Sequence, residues 1–109
     1  MTDTDRAILF EQFIDLYYPS IFSAIVRLTG QSDEKELEII TVKVFVDLWQ
    51  HNDELFNKMR PPAFIYKILI RHIFSYLKKK GMEDHILMLQ KTVLIDPTHY
   101  ADIFDLKQE

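Results

Sequence analysis

The chain has no cysteine, two glycines and four prolines in 109 residues. Without cysteine there is no disulfide framework, no thiolate zinc site and no thiol nucleophile. Two glycines are too few for the turns of a β-sandwich or barrel of this size. They also exclude a glycine-rich phosphate loop, which needs several glycines within a few residues. No apolar run approaches the ~18–20 residues that cross a membrane as a helix. Residues 1–5 are acidic rather than basic, so they do not read as a signal peptide. What remains is 48% hydrophobic and 28% charged, ordinary globular material of a length that suits one small domain.

Charge is distributed unevenly behind a formal net value of −4. Residues 1–54 carry eleven acids against four bases, and residues 83–109 carry six against two. Between them, residues 55–82 hold seven Lys and Arg and no acid at all. Globular surfaces usually intersperse their signs, because crowded like charges repel. Such a block is either a solvated helix end or a surface for an anionic partner, with nucleic acid before an acidic protein.

Helical spacing dominates the apolar pattern. Ile8, Leu9, Phe13, Leu16 and Tyr17 recur every three or four residues behind a cap at Asp5. Pro19 predicts a break and a second helix, bent from the first, through Ile21–Leu28 to a stop at Gly30. Ser32 and Asp33 open the next helix, with capping-box spacing from Asp33 to Glu36, and it runs to about Gln50. That helix is apolar on two sides. Leu37, Ile40, Val44 and Leu48 form one stripe, and Ile39, Val42, Val46 and Trp49 another. Two such stripes mark either a central helix or a docking surface.

A polar connection is expected over His51–Arg60, then a long helix from Pro61-Pro62 to about Lys80, ended by Gly81. Its core stripe is Ile65, Leu69, His72, Ile73 and Tyr76, and Lys67, Arg71 and Lys78 align on the opposite face. Asp84–Val93 can form a short helix, and Tyr100–Leu106 a further turn or two. The expected fold is all-α: a small bundle of three to four main helices plus a short C-terminal helical tail, divided as residues 1–82 and 83–109.

Catalytic patterns are missing. No two of the four histidines, at 51, 72, 85 and 99, have the spacing that puts two metal ligands on one helix face. His72 on the core side reads as a hydrogen-bonded core histidine, with no acid nearby in sequence to orient it as a base. No enzyme, metal site or cofactor is expected.

The ordered set of motifs over Phe10–Lys80, about two thirds of the chain, resembles region 2 of bacterial sigma factors, in particular the extracytoplasmic-function branch. The residues that carry the resemblance are Phe10-Glu11-Gln12-Phe13, Tyr17-Tyr18-Pro19, Arg27-Leu28-Thr29-Gly30 and Val44-Phe45-Val46-Asp47-Leu48-Trp49. Ala63-Phe64-Ile65-Tyr66-Lys67-Ile68 and Ser75-Tyr76-Leu77-Lys78-Lys79-Lys80 complete it. The resemblance implies a cytoplasmic transcription initiation factor domain. Its third helix, over residues 37–49, would bind the RNA polymerase core. Its loop and fourth helix would recognise and melt the −10 element of promoter DNA. The DNA-binding residues would be Phe56, Asn57, Lys58, Arg60, Lys67, Arg71 and Lys78, cations for phosphates and rings for bases. Phe56 has a second reading, as a staple closing the bundle.

Three departures from the family pattern shape the alternative. Where the family carries Asp and then Gln-Glu for the polymerase clamp, this chain has Ile39 and then Val42-Lys43. Where it often has Arg-Asn, and Asp before Tyr, this chain has Ile70-Arg71 and Ser75. The family's helix-turn-helix domain, which reads the −35 element, has no counterpart in 109 residues. Apolar residues at 39, 42 and 46 favour helix packing over a polar clamp contact. The alternative is therefore a sigma-like protein–protein module that binds an anti-sigma protein or a second copy of itself through Ile39, Val42, Lys43 and Val46. A cover for that face is expected from the tail helix Ile86–Val93, a second subunit or a partner. A generic helical bundle is the third reading.

Overall fold

A computed structural model of the chain describes residues 3–57 and 61–92. All regular structure in these residues is α-helical: α1 Asp3–Thr29, α2 Glu34–Gln50, α3 Asn52–Asn57, α4 Pro61–Lys79 and α5 Glu83–Thr92. The expected all-α bundle with a short helical tail is what forms. Helices α1, α2 and α4 pack pairwise around one core, α3 bridges α2 and α4, and α5 lies on α4. Lys58, Met59, Arg60, Val93 and the stretch Tyr100–Leu106 fall outside the described residues.

The break expected at Pro19 does not occur, and α1 runs through it for 27 residues. An interior proline removes one backbone hydrogen bond and costs about 3 kcal/mol. The apolar stripe is what offsets this. Phe10, Phe13, Ile21, Ala24, Ile25 and Leu28 lie on both sides of Pro19 and are all buried in the same core. Breaking the helix would take one half of that stripe out of the core. Pro19 itself is exposed.

Both glycines end helices in the left-handed region that favours glycine, Gly30 at φ +67° and Gly81 at φ +72°. After α4, the Met82 N–H donates to Leu77 O at 2.9 Å and the Gly81 N–H to Lys78 O at 3.1 Å. This paired pattern is a Schellman close and satisfies two end carbonyls. At the start of α2, the Asp33 carboxylate accepts from the Lys35 N–H at 3.1 Å and the Glu36 N–H at 3.4 Å. The reciprocal half of the expected capping box is replaced: Glu36 reaches across to α4.

The connection expected to be polar and irregular contains α3. Leu55 is buried there, and Phe56 packs partly buried against the core. Arg6 of α1 fixes the start of this helix, donating to Asn52 Oδ1 at 2.7 Å and pairing with Asp53. The two buried threonines, Thr29 and Thr41, donate to the carbonyls four residues back, Ile25 O at 2.7 Å and Leu37 O at 2.8 Å. No polar side-chain atom in the described core is left unpaired.

Candidate functional site

Helix α2 sorts its two apolar stripes. Leu37, Ile40, Val44 and Leu48 are buried, while Ile39, Val42, Val46 and Trp49 are 56%, 55%, 50% and 37% exposed. At ~100° per residue the two sets point in opposite directions. The core therefore uses one stripe and leaves the other to solvent. Phe45 turns toward α1, where it stacks on Tyr18 with ring centroids 5.8 Å apart. Phe10 meets Trp49 at 5.1 Å. Between these contacts runs a groove of about 540 Å3, walled by Ala7, Ile14 and Tyr18 of α1 and by Val42, Val46 and Trp49 of α2. Its lining is mostly carbon, with Glu11 at the edge.

Helix α5 does not cover this face. Leu89 of α5 is buried, and His85 places Nε2 2.6 Å from Leu28 O at the C-terminal end of α1. The expected cover by the tail helix therefore fails within the described residues: α5 is held at the far end of α1 by that hydrogen bond and by its packing on α4.

The cationic face of α4 is only partly free. Lys67, Arg71 and Lys78 are all exposed. Arg71 is nevertheless tied down, because its guanidinium pairs with Asp47 of α2. The same carboxylate accepts from His72 Nε2 at 2.8 Å, and His51 Nδ1 stands 3.1 Å from its other oxygen. Burial pushes the Asp47 carboxyl up. Its bonds to Arg71 and His72, and their charges, outweigh this and hold it below the usual carboxylate value. The acid that orients His72 thus comes from another helix, 25 residues away in sequence.

A second polar tie joins α2 and α4 further along. Tyr76 donates its hydroxyl to Glu36 Oε1 at 3.1 Å, and Lys80 Nζ lies 2.6 Å from the same oxygen and over the Tyr76 ring. Burial and the neighbouring Glu36 raise the Tyr76 phenol, while the bond to Glu36 raises the Lys80 ammonium. Lys80 is thereby removed from the pool of free cations.

The predicted site residues consequently fall on two surfaces. Ile39, Val42, Lys43 and Val46 share the outward side of α2. Lys67 and Lys78 are exposed on α4 with no acidic partner among the described residues, and Arg71 beside them is paired. Phe56 is partly buried against the core, the geometry of the staple reading. Asn57 closes α3, and Lys58 and Arg60 lie outside the described residues. The sequence reading missed the α1 wall of the groove, whose signal was the width of the apolar face between Phe10 and Tyr18. It also missed Asp47, whose spacing to His51 is a local signal but whose partners on α4 are distant in sequence. Among the described residues no three His, Asp or Glu side chains converge as metal ligands, and no helix is long and apolar enough to cross a membrane. Comparisons with protein-family models, curated proteins and solved structures return no match to this chain.

Proposed function

We propose that this chain is a sigma-factor region 2-like domain, which docks on the RNA polymerase core through the outer face of α2 and holds promoter DNA along α4. The observation that carries the reading is the exposed stripe Ile39, Val42, Val46 and Trp49, joined to an apolar groove against α1. A folded domain that leaves four large apolar side chains on one face has a surface suited to a protein partner. The second support is the acid-free block over residues 55–82, whose cations Lys67 and Lys78 are exposed and have no acidic partner among the described residues. On this reading the chain works in the cytoplasm and performs no chemistry itself. It supplies promoter specificity and strand capture to a polymerase that does. Ile39 and Val42 in place of polar clamp contacts then imply weak binding to an ordinary clamp, and tighter binding to a cognate clamp with a matching apolar face.

The DNA arm is tested with a fluorescent single-stranded −10 oligonucleotide. Wild-type affinity should fall steeply with salt, because each neutralised phosphate releases counterions. Lys67→Glu with Lys78→Glu should abolish binding and leave the helical circular dichroism unchanged. Arg71 is left out, since changing it would also leave Asp47 short of a partner. Binding that survives the double change would remove α4 as the DNA face.

Two observations favour a second reading, a sigma-like module for an anti-sigma protein or a second copy, without promoter activity. Arg71 and Lys80 are each spent on an acid of α2, and Phe56 is packed rather than presented. No oligonucleotide binding together with a dimer in sedimentation would select it.

A further inference from the structure

Helices α2 and α4 enclose a second groove, of about 390 Å3, between the Asp47 tie and the Glu36 tie. Its walls are two short ridges at three- and four-residue spacing: Ile39 and Lys43 with their neighbours on α2, and His72, Ser75 and Lys79 on α4. The acids of this region are already neutralised. Glu36 holds Lys80 and the Tyr76 hydroxyl, and Asp47 holds Arg71 and His72. The cations facing the groove are not. Lys43 and Lys79 have no acidic partner among the described residues, and the Ser75 hydroxyl has no hydrogen-bond partner there. The two ammonium groups stand on opposite walls and the hydroxyl on the α4 wall with Lys79, a set of donors without a partner among the described residues.

We infer that this groove is a binding site for a phosphate group, held by Lys43 and Lys79 across the gap and by the Ser75 hydroxyl. Lysine binds phosphate as a point charge, and two of them on facing helices fix its position along the groove. The aliphatic side chain of Ile39 on one wall suits the organic part of a phosphate ester. The site goes beyond the proposed docking and DNA surfaces. It does not use Lys67 or Lys78, and its occupancy can be measured without polymerase or promoter. Ile39 and Lys43 belong both to this groove and to the outward side of α2, so a bound phosphate ester would touch the edge of the docking face.

The test is a titration followed by amide chemical shifts, with inorganic phosphate in one arm and adenosine monophosphate in the other, at constant ionic strength in chloride. The inference expects saturable shifts centred on Lys43, Ser75 and Lys79 in at least one arm. Saturation by phosphate alone identifies a free-ion site, and saturation only by the nucleotide identifies a phosphate-ester site. Lys43→Gln with Lys79→Gln should weaken binding by about tenfold or more, Ser75→Ala by less, and Lys91→Gln on α5, exposed and outside the groove lining, not at all. All these side chains but Ser75 are long and solvent-facing, so the fold should persist, and the wild-type shift map stands even where a variant does not. Shifts that stay linear and spread over every surface lysine would overturn the inference, as would saturable binding indifferent to Lys43 and Lys79.

Discussion

The two faces of α2 are built from the same kinds of residue and do opposite things. Leu37, Ile40, Val44 and Leu48 are almost wholly buried, whereas Ile39, Val42 and Val46 are each about half exposed. Hydrophobicity does not distinguish them; the neighbours do. The inner stripe faces the apolar faces of α1 and α4, and the outer one borders only the rim of α1 at Val42 and Val46 and the groove edge toward α4 at Ile39. A buried stripe contributes to folding, since each apolar side chain taken out of water stabilises by roughly 1.5–3 kcal/mol. An exposed one contributes little to folding and is free to contribute to association.

The largest expected effect breaks the inner side of this comparison. Leu48→Ala should cost about 2–5 kcal/mol, read in a urea melt, because it opens a cavity in a fully buried site. Its outer counterpart, Val46→Ala, should change stability by no more than about 0.5 kcal/mol. Equal losses at the two positions would erase the distinction between the faces.

Next comes the polar seam between α2 and α4. Asp47→Ala leaves His72 without its acceptor and frees Arg71, and should cost about 1–3 kcal/mol. The pH dependence follows from the depressed carboxyl. Its stabilising contribution is complete above the unfolded carboxyl value, near ~4, and is lost as pH falls through the lower folded value. Asp47→Asn should therefore flatten the acid limb of a stability-versus-pH curve. An unchanged acid limb would mean that the carboxylate contributes nothing to folding. On the proposed DNA reading the same seam makes Arg71 a poor contact, while Lys67, Lys78 and Lys79 of α4 have no acidic partner among the described residues.

A smaller effect is expected at the start of α2. Asp33→Ala removes the acceptor for two backbone N–H groups and should cost about 1 kcal/mol in thermal or chemical melts. No change would show that water caps this end equally well.

Much of this architecture is legible in the sequence, and the parts that are not have physical causes. The bounds of α2 and α4 follow from Asp33, Gly81 and the helical period, which are local signals. Pro19 misleads because propensity is local while the stripe on either side of it is buried by distant helices. Leu55 and Phe56 hide a helix inside a polar stretch, since two apolar residues are too few to show a period. The two apolar stripes of α2 are visible beforehand, but which one is buried depends on where α1 and α4 settle. The pairs from Asp47 to Arg71 and His72 are invisible for the same reason: they exist only once α4 lies on α2, whereas His51 is a local neighbour of Asp47, four residues on.

The claim that the outer face of α2 is a docking surface is tested most directly by binding to the cognate RNA polymerase core. A double change, Val42→Glu with Val46→Glu, should leave the melting temperature of the free domain nearly unaltered, since both side chains are about half exposed. The affinity for the polymerase core, read by titration of a labelled domain, should fall by about tenfold or more, because two carboxylates would be buried against an apolar partner. An affinity identical to wild type, or no binding by the wild-type domain at all, would contradict the assignment of this face to the polymerase.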